Sequence, residues 1–301
     1  MKELYILGSL NMDLACYASS FPNKGETVSG HSFRQGAGGK GLNQAVAAAR
    51  LGAKVHLLGA VGNDSFGVTM KGILAKEGID ISMLKTVSNV STGVALIEVA
   101  EDTNRIMLDL GANLMINHAD LDSFLAKAKQ GDIFLCQGEN NIDAIGYGLK
   151  LAKSKGMLTT LNPAPASTKM LPFLQYVDLL TPNETEAASL GGTSSYKTSI
   201  NKLPVSYLAV TLGAEGYLLV ENGKVVKEEK PPKVNVVDTT GAGDAFSGAL
   251  AYFLLEGKTI EESLSLAMNY ASLKTTKKGT SSAMPSGEEF VSFLSMSRDK
   301  A

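Results

Sequence analysis

The chain has 301 residues, with 28 Lys or Arg and 30 Asp or Glu, so its formal net charge is −2. A chain this close to neutral lacks the basic excess that binding to a phosphate backbone requires, which argues against a nucleic-acid-binding protein. Two Cys and three scattered His leave little material for a disulfide framework or a His-based metal site. Glycine accounts for 31 of the 301 residues. This share of about one in ten exceeds the average of about 7% and needs an explanation.

The sequence also argues against a membrane protein. No apolar run reaches the roughly 18 residues that a membrane-spanning helix needs. The chain starts Met1-Lys2-Glu3-Leu4 and leads directly into a strand-like run, without the basic and then apolar leader of a secreted protein. We therefore expect a cytoplasmic protein with no membrane partner.

The predicted elements follow two patterns along the chain. Up to residue 111, strands at 4–8 and 55–58 and helices at 43–51 and 66–76 are interrupted by mixed polar, strand-like segments at 14–33 and 93–110. From about residue 117, helices at 118–129, 142–155 and 183–190 alternate with strands at 132–136, 157–161, 177–180 and 208–211. A hairpin at 217–227 and two or three helices complete the chain.

This alternation predicts an α/β fold whose mainly parallel sheet is covered by helices on both faces. We expect one domain over residues 1–301, and a small β-sheet lid formed by two insertions at about 13–37 and 93–111. Because ligands of open parallel sheets bind beyond the carboxyl ends of the strands, the polar residues that follow the strands are candidates for a site.

The densest glycine cluster, at residues 36–41, formally matches the G-x-G-x-x-G pattern of dinucleotide-binding proteins. That interpretation requires a buried strand directly before the cluster, and residues 31–35 are polar apart from Phe33. The P-loop pattern also fails, because Gly41 follows Lys40 where Ser or Thr is needed. What remains is a glycine loop opening a helix, suited to a polyhydroxy ligand or an anion, or a packing turn with a solvated Lys40.

A second glycine segment, at residues 238–249, leads into a helix whose first turn contains Asp244. Free N–H groups at residues 242–244 would form an anion hole, aided by the helix dipole. A carboxylate there fits a base that takes a hydroxyl proton during phosphoryl transfer. The alternative is that Asp244 simply stabilises the helix dipole.

Together the two segments resemble the signatures of the ribokinase (PfkB-type) family of sugar kinases. Further matches occur in order along nearly the whole chain, namely residues 8–13, 22–27, 91–95, 162–165, 181–186 and 211–213. The resemblance implies a three-layer α/β/α core with a β-sheet lid, and ATP-dependent phosphorylation of the 5-hydroxyl of D-ribose. ATP, Mg²⁺ and an activating K⁺ are the implied cofactors.

The resemblance also implies a role for particular residues. Asp244 would be the base, with Ala242 and Gly243 forming the anion hole. The sugar would contact Asn11, Asp13, Gly39, Lys40, Asn43, Glu139 and Asp244. Asn183 and Glu186 would lie by the phosphates and the Mg²⁺ hydration shell, and Thr211, Gly213, Gly216, Gly243 and Asn269 would line the nucleotide pocket. The K⁺ site would use Asp238 and the backbone carbonyls of Thr240, Lys274, Lys277 and Gly279, with Ala283 as a neighbour of the ion.

Two departures from the family pattern concern the nucleotide side. The stretch 191–205 is short for its usual helix, and Met268 stands where the family often has Asn, with Asn269 one position later.

In the lid, the alternation at residues 94–99 predicts one apolar face over the sugar, and an exposed apolar face predicts pairing with a second lid in a homodimer.

Other functions remain as alternatives. The first is a kinase acting on 2-deoxyribose, another pentose, a ketose or a nucleoside. The second is a non-catalytic sugar-sensing protein, which predicts loss of the base or of the anion hole, whereas Asp244 and Gly243 are both present. An NAD-linked oxidoreductase would need the dinucleotide motif that the polar residues 31–35 argue against.

Overall fold

The computed structural model describes residues 2–101 and 103–298. The strands are β1 (Leu4–Leu7), β2 (Asn11–Tyr17), β3 (Ser32–Gly38), β4 (Val55–Leu58), β5 (Ala60–Gly62), β6 (Lys85–Val87), β7 (Gly93–Ala100), β8 (Thr103–Asp109), β9 (Ile133–Gln137), β10 (Leu158–Asn162), β11 (Leu179–Leu180), β12 (Tyr207–Thr211), β13 (Tyr217–Glu221) and β14 (Lys224–Glu229). The α-helices are α1 (Lys40–Leu51), α2 (Ser65–Lys76), α3 (His118–Phe124), α4 (Ile142–Ser154), α5 (Glu184–Leu190), α6 (Tyr196–Ser199), α7 (Ala242–Leu255), α8 (Ile260–Thr275) and α9 (Gly287–Arg298).

The central sheet has the strand order β14-β13-β12-β11-β10-β9-β1-β4. The six strands from β12 to β4 run parallel, and β13 and β14 add an antiparallel edge. Parallel strands bury both faces, and their alternating residues divide between two cores. Leu4 and Ile6 pack with α1 and α7 on one face, while Tyr5 and Leu7 pack with α3 and α4 on the other. This is the predicted three-layer α/β/α arrangement.

The predicted lid is a second sheet with the strand order β3-β2-β7-β8. It unites the two predicted insertions, because β2 pairs parallel with β7 while β3 and β8 pair antiparallel at the two edges. Asp13, Ile97 and Ile106 line the cavity between the lid and the core, as the alternation over residues 94–99 predicts. Leu96 and Met107 form a cross-strand pair on the opposite face, where they are 49% and 72% exposed.

Some element boundaries differ from the prediction for local reasons. Helix α1 begins at Lys40, three residues before the predicted start, because Gly39 adopts a φ of +91° that lets the chain turn directly into the helix. Helix α3 ends at Phe124 rather than residue 129, and the last residues of the predicted helix form turns instead. In the stretch 191–205 the structure contains only the short α6 within the described residues.

Helix starts are fixed by side chains that the sequence already marks. Asp64 accepts a hydrogen bond from the N–H of Gly67 at the start of α2, and Asn183 and Thr259 form capping boxes at α5 and α8. None of the helices in the described ranges is long and apolar enough to cross a membrane.

Candidate active site

The glycine loop brings the start of α1 against the ends of β1 and β2. A Cβ atom on Gly41 would lie 2.2 Å from the Cα of Gly8, so the backbones of β1 and α1 touch only because both residues lack side chains. A Cβ on Gly38 would lie 2.3 Å from the carboxylate of Asp13. The glycines therefore make room for the carboxylate on which sugar binding was predicted to depend.

Asp13, Glu139 and Lys40 form a charged cluster beneath the lid. Burial raises the pKa of Asp13 to about 7, and the carboxylates of Glu139 and Asp244 add to that effect while Lys40 opposes it. Burial also raises the pKa of Glu139. For Lys40, burial opposes the charged form, but the surrounding carboxylates raise its pKa overall. Within residues 2–101 and 103–298 no hydrogen bond reaches the carboxylate of Asp13, so it is available to a ligand.

Hydrogen bonds to neighbouring groups fix the positions of Glu139 and Asn11. Glu139 Oε2 accepts from Ser9 Oγ at 2.6 Å, Asn11 Nδ2 at 3.2 Å and the backbone N–H of Lys40 at 3.1 Å. Asn113, which the sequence did not single out, donates to Asn11 Oδ1 at 2.8 Å. Asn113 also pairs with both the N–H and the carbonyl of Leu10. Asn11 is thus 2% exposed and orients Glu139.

Asp244 lies in the first turn of α7 and is only 8% exposed. Its two oxygens accept from two neighbouring amides of α1, Asn43 Nδ2 at 2.8 Å and Gln44 Nε2 at 3.0 Å. Gln44 in turn accepts from Gln137 at 2.8 Å. Asn43 Oδ1 is buried without a partner among the described residues, and it therefore offers an acceptor to a ligand hydroxyl. Asp244 and Asn43 lie together although 201 positions separate them.

Within the described part of the chain, the start of α7 leaves backbone N–H groups without a partner where the sequence predicts an anion hole, although not all the expected groups are free. Gly241 caps the helix in a left-handed conformation with a φ of 76°. The N–H of Ala242 is not free, because it closes a turn by donating to the carbonyl of Thr239 at 3.1 Å. The N–H groups available to an anion are those of Gly243 and Asp244, in the first helical turn where intrahelical partners are lacking.

A cavity of about 160 Å³ joins Asp244 to the residues predicted to meet phosphates. Lys40, Asn183, Glu186 and Gly243 lie on its wall. Asn183 and Glu186 bind each other through the capping box of α5, at 2.8 and 2.9 Å. Burial raises the pKa of Glu186, and Lys40 opposes this effect.

A neighbouring cavity of about 490 Å³ is lined by Thr211, Gly213 and Gly216, as predicted for the nucleotide pocket. Ala242 and Gly243 lie on the walls of both cavities. The prediction for Asn269 requires correction, because Met268 lines this cavity and Asn269 does not. One residue turns a helical side chain by about 100°, and Asn269 Nδ2 instead donates to the carbonyl of Ser265 at 2.8 Å.

The predicted K⁺ site holds a side-chain ammonium. Lys274 Nζ donates to the carbonyl of Asp238 at 3.2 Å and to the carbonyl of Thr240, two groups expected near the ion. The carboxylate oxygens of Asp238 accept from the N–H groups of Thr240 and Gly279, both at 2.9 Å. Burial lowers the pKa of Lys274, while the charges of Asp238 and Asp244 work against that effect.

Some of the other residues expected at the K⁺ site have partners of their own. The carbonyl of Lys274 accepts from the N–H of Lys277 at 3.0 Å, and Lys277 Nζ pairs with Glu289. Ala283 is buried and has no side-chain oxygen. Because the ammonium of Lys274 already binds the carbonyls of Asp238 and Thr240, the site as it stands does not fit a K⁺ ion.

For Mg²⁺ the donor set is compatible but incomplete. The described part of the chain contains no cluster of three or more His, Cys, Asp or Glu that could hold a metal alone. Mg²⁺ is commonly bound by one or two carboxylates, waters and the phosphates of a nucleotide. Glu186 lies on the wall of the cavity of about 160 Å³ that also contains Asp244, here called the phosphate-side cavity, and is the carboxylate that fits this pattern.

Comparison with known proteins identifies the family of the chain. Residues 1–287 match the model of the pfkB family carbohydrate kinases. The chain is 38% identical to the ribokinase of Haemophilus influenzae over 97% of its length and 98% of that protein, and 33% identical to the deoxyribokinase of Salmonella typhi over 98% and 99%. Its fold matches Arabidopsis thaliana ribokinase complexed with ribose and ATP, with a TM-score of 0.86 at 31% identity over 98% and 99% of the two chains. The chain therefore belongs to the pfkB family of carbohydrate kinases.

Proposed function

We propose that this sugar kinase transfers the γ-phosphoryl group of ATP to the 5-hydroxyl of D-ribose. The observation that carries the proposal is the position of Asp244, buried between the lid-side residues and the phosphate-side cavity. The similarity to ribokinases over nearly the whole chain supports ribose as the acceptor, and the ribose and ATP complex of the Arabidopsis relative supports both substrates.

In this proposal Asp244 is the base. The amides of Asn43 and Gln44 hold its two oxygens in one orientation. The hydroxyl oxygen of the sugar forms a bond to the γ-phosphorus, its proton passes to Asp244, and the bond from that phosphorus to the bridging oxygen of ADP breaks. A base that receives the proton late suffices, because the transition state of phosphoryl transfer is loose.

The N–H groups of Gly243 and Asp244 would hold the equatorial oxygens of the transferring group, with the positive end of the α7 dipole behind them. Lys40 lies on the same cavity wall and contributes a full positive charge. Mg²⁺, when bound with ATP, supplies further neutralisation of phosphate charge, and Glu186 would hold its hydration shell. The nucleotide would occupy the cavity lined by Thr211, Gly213 and Gly216.

The sugar would lie between the core and the inner face of the lid, which carries Asp13. The carboxylate of Asp13 and the unpartnered Oδ1 of Asn43 would accept hydrogen bonds from sugar hydroxyls. Ile97 and Ile106 of the lid cover this space with apolar side chains, which would exclude water and protect ATP from hydrolysis.

We also propose that two chains pair through their lids. Phe33, Leu96 and Met107 are between 49% and 72% exposed, and the strand pairing puts them on the lid face opposite Asp13. Exposed apolar patches of this kind mark protein–protein contacts, and a second copy of the same face would cover it. The cytoplasmic location stays a prediction.

A second candidate acceptor is 2-deoxyribose, which the similarity to a deoxyribokinase favours. The experiment is to measure kcat/KM with ATP for ribose, 2-deoxyribose, fructose and adenosine on the purified chain. We expect ribose to have the highest value. Faster turnover of fructose or adenosine than of ribose would refute the assignment, and preference for 2-deoxyribose would establish the second candidate.

A further inference from the structure

Lys274 is a buried cation beside the candidate anion hole. It belongs to the last turn of α8, yet it is 0% exposed, which is rare for a lysine. Its side chain ends against the segment 238–240, directly before the Gly241 cap of α7. A buried ammonium needs acceptors, and here they are the carbonyls of Asp238 and Thr240.

An ammonium group and a K⁺ ion can be bound by the same groups of a protein. Both carry one positive charge, and both are bound by carbonyl oxygens. Two such charges cannot share the same carbonyl group, because they repel each other and compete for the same lone pairs. The ammonium of Lys274 therefore excludes a monovalent ion from the carbonyl of Thr240.

We propose that the ammonium of Lys274 replaces the monovalent cation of this site, so that the enzyme needs no K⁺. The side chain fixes the carbonyls of Asp238 and Thr240 and thereby the turn that presents the N–H groups of Gly243 and Asp244. Lys274 is a positioning residue, because it reaches the phosphoryl group only through this turn. Its effect on turnover rests on the proposed kinase function, whereas the exclusion of K⁺ does not.

The first experiment uses the unmodified protein. Turnover and the melting temperature are compared in chlorides of tetramethylammonium, Na⁺ and K⁺ at equal ionic strength, with K⁺-free ATP. We expect turnover to agree within about twofold and the melting temperature to show no rise specific to K⁺, since an ion that does not bind cannot stabilise the fold. Activation of fivefold or more by K⁺ (about 1 kcal/mol), or a K⁺-specific rise in melting temperature, would overturn the proposal.

The second experiment removes the ammonium. In Lys274→Ala we expect turnover without K⁺ to fall by at least about tenfold, because the anion-hole turn loses its support. K⁺, ammonium or methylammonium should then restore turnover and raise the melting temperature, by occupying the vacated carbonyls. Full activity of the variant in tetramethylammonium chloride would show that the ammonium plays no positioning role and would overturn the proposal.

Lys278→Ala is the matched control, because Lys278 follows Lys274 by four positions and its side chain is exposed. It should respond to K⁺ no more than the unmodified protein does. If Lys274→Ala fails to fold, the comparison of salts on the unmodified protein still decides the question. If no sugar is phosphorylated at all, the proposed function fails, and the melting temperatures alone test whether K⁺ is excluded.

Discussion

Replacing Asp13 by Asn should stabilise the protein while weakening sugar binding. Asp13 lies on the inner face of the lid near Glu139 and Asp244, and its pKa is raised from 3.8 to about 7. The ionised carboxylate is therefore unfavourable in the folded protein without a ligand. Asn keeps the size of the side chain and removes the charge.

The size of the effect follows from the two pKa values. Their difference corresponds to at most about 4 kcal/mol, at about 1.36 kcal/mol per pKa unit. Because the folded pKa is the higher one, the favourable contribution of the protonated group is complete below pH 3.8 and is lost as the pH rises through about 7. Between about pH 5 and about pH 8.5 the loss amounts to roughly 2.7 kcal/mol.

The assay is urea unfolding of the unmodified protein and Asp13→Asn at about pH 5 and about pH 8.5. We expect the advantage of the variant to be larger at the higher pH by about 2–3 kcal/mol. In the same variant the KM for ribose should rise about 10- to 100-fold, the usual effect of losing hydrogen bonds to a charged group. An advantage that is equal at both pH values, or smaller at the higher one, would refute the reasoning.

Three further predictions concern catalysis and assembly. Asp244→Asn should keep most of the sugar affinity and lower kcat by roughly 10²–10⁴; near-normal turnover in steady-state assays would remove Asp244 from the base role. Gln44→Leu should lower kcat by roughly tenfold with a smaller change in the KM for ribose, because Asp244 loses one of its two amide donors; a change confined to KM would contradict this positioning role. Leu96→Lys should convert a dimer into monomers in light scattering after size-exclusion chromatography, whereas the same change at Val68, exposed on α2, should not; an unmodified protein that is already monomeric would refute pairing through the lid.

Much of the fold could be predicted because its signals are local. Apolar runs, N-cap residues such as Asp64 and terminating glycines such as Gly52 identify strands and helices within a few residues. The two glycine segments carry the family resemblance from which the sugar-side and phosphate-side residues are predicted. Boundaries such as the start of α1 depend on the single φ of Gly39, which the sequence alone does not determine.

The remaining contacts could not be predicted because their partners are distant in sequence. Asn113 reaches Asn11 across 102 positions and Ser9 reaches Glu139 across 130, and neither residue has a local pattern that indicates its role. The path of the Lys274 side chain is a further case. The resemblance assigned a backbone carbonyl to that position, and only the folded chain brings its ammonium to Thr240.

The hydrogen bonds of Asn113 affect the stage at which the strands of the lid become ordered. By pairing with both backbone groups of Leu10, Asn113 ties the root of the second insertion to the root of the first. The parallel pairing of β2 with β7 continues that tie along the sheet. These contacts hold the strands of the lid together without a ligand, so the entropy of arranging them is lost during folding rather than when the sugar arrives. In the proposed reaction, more of the affinity for the sugar is then left to align its hydroxyl with Asp244.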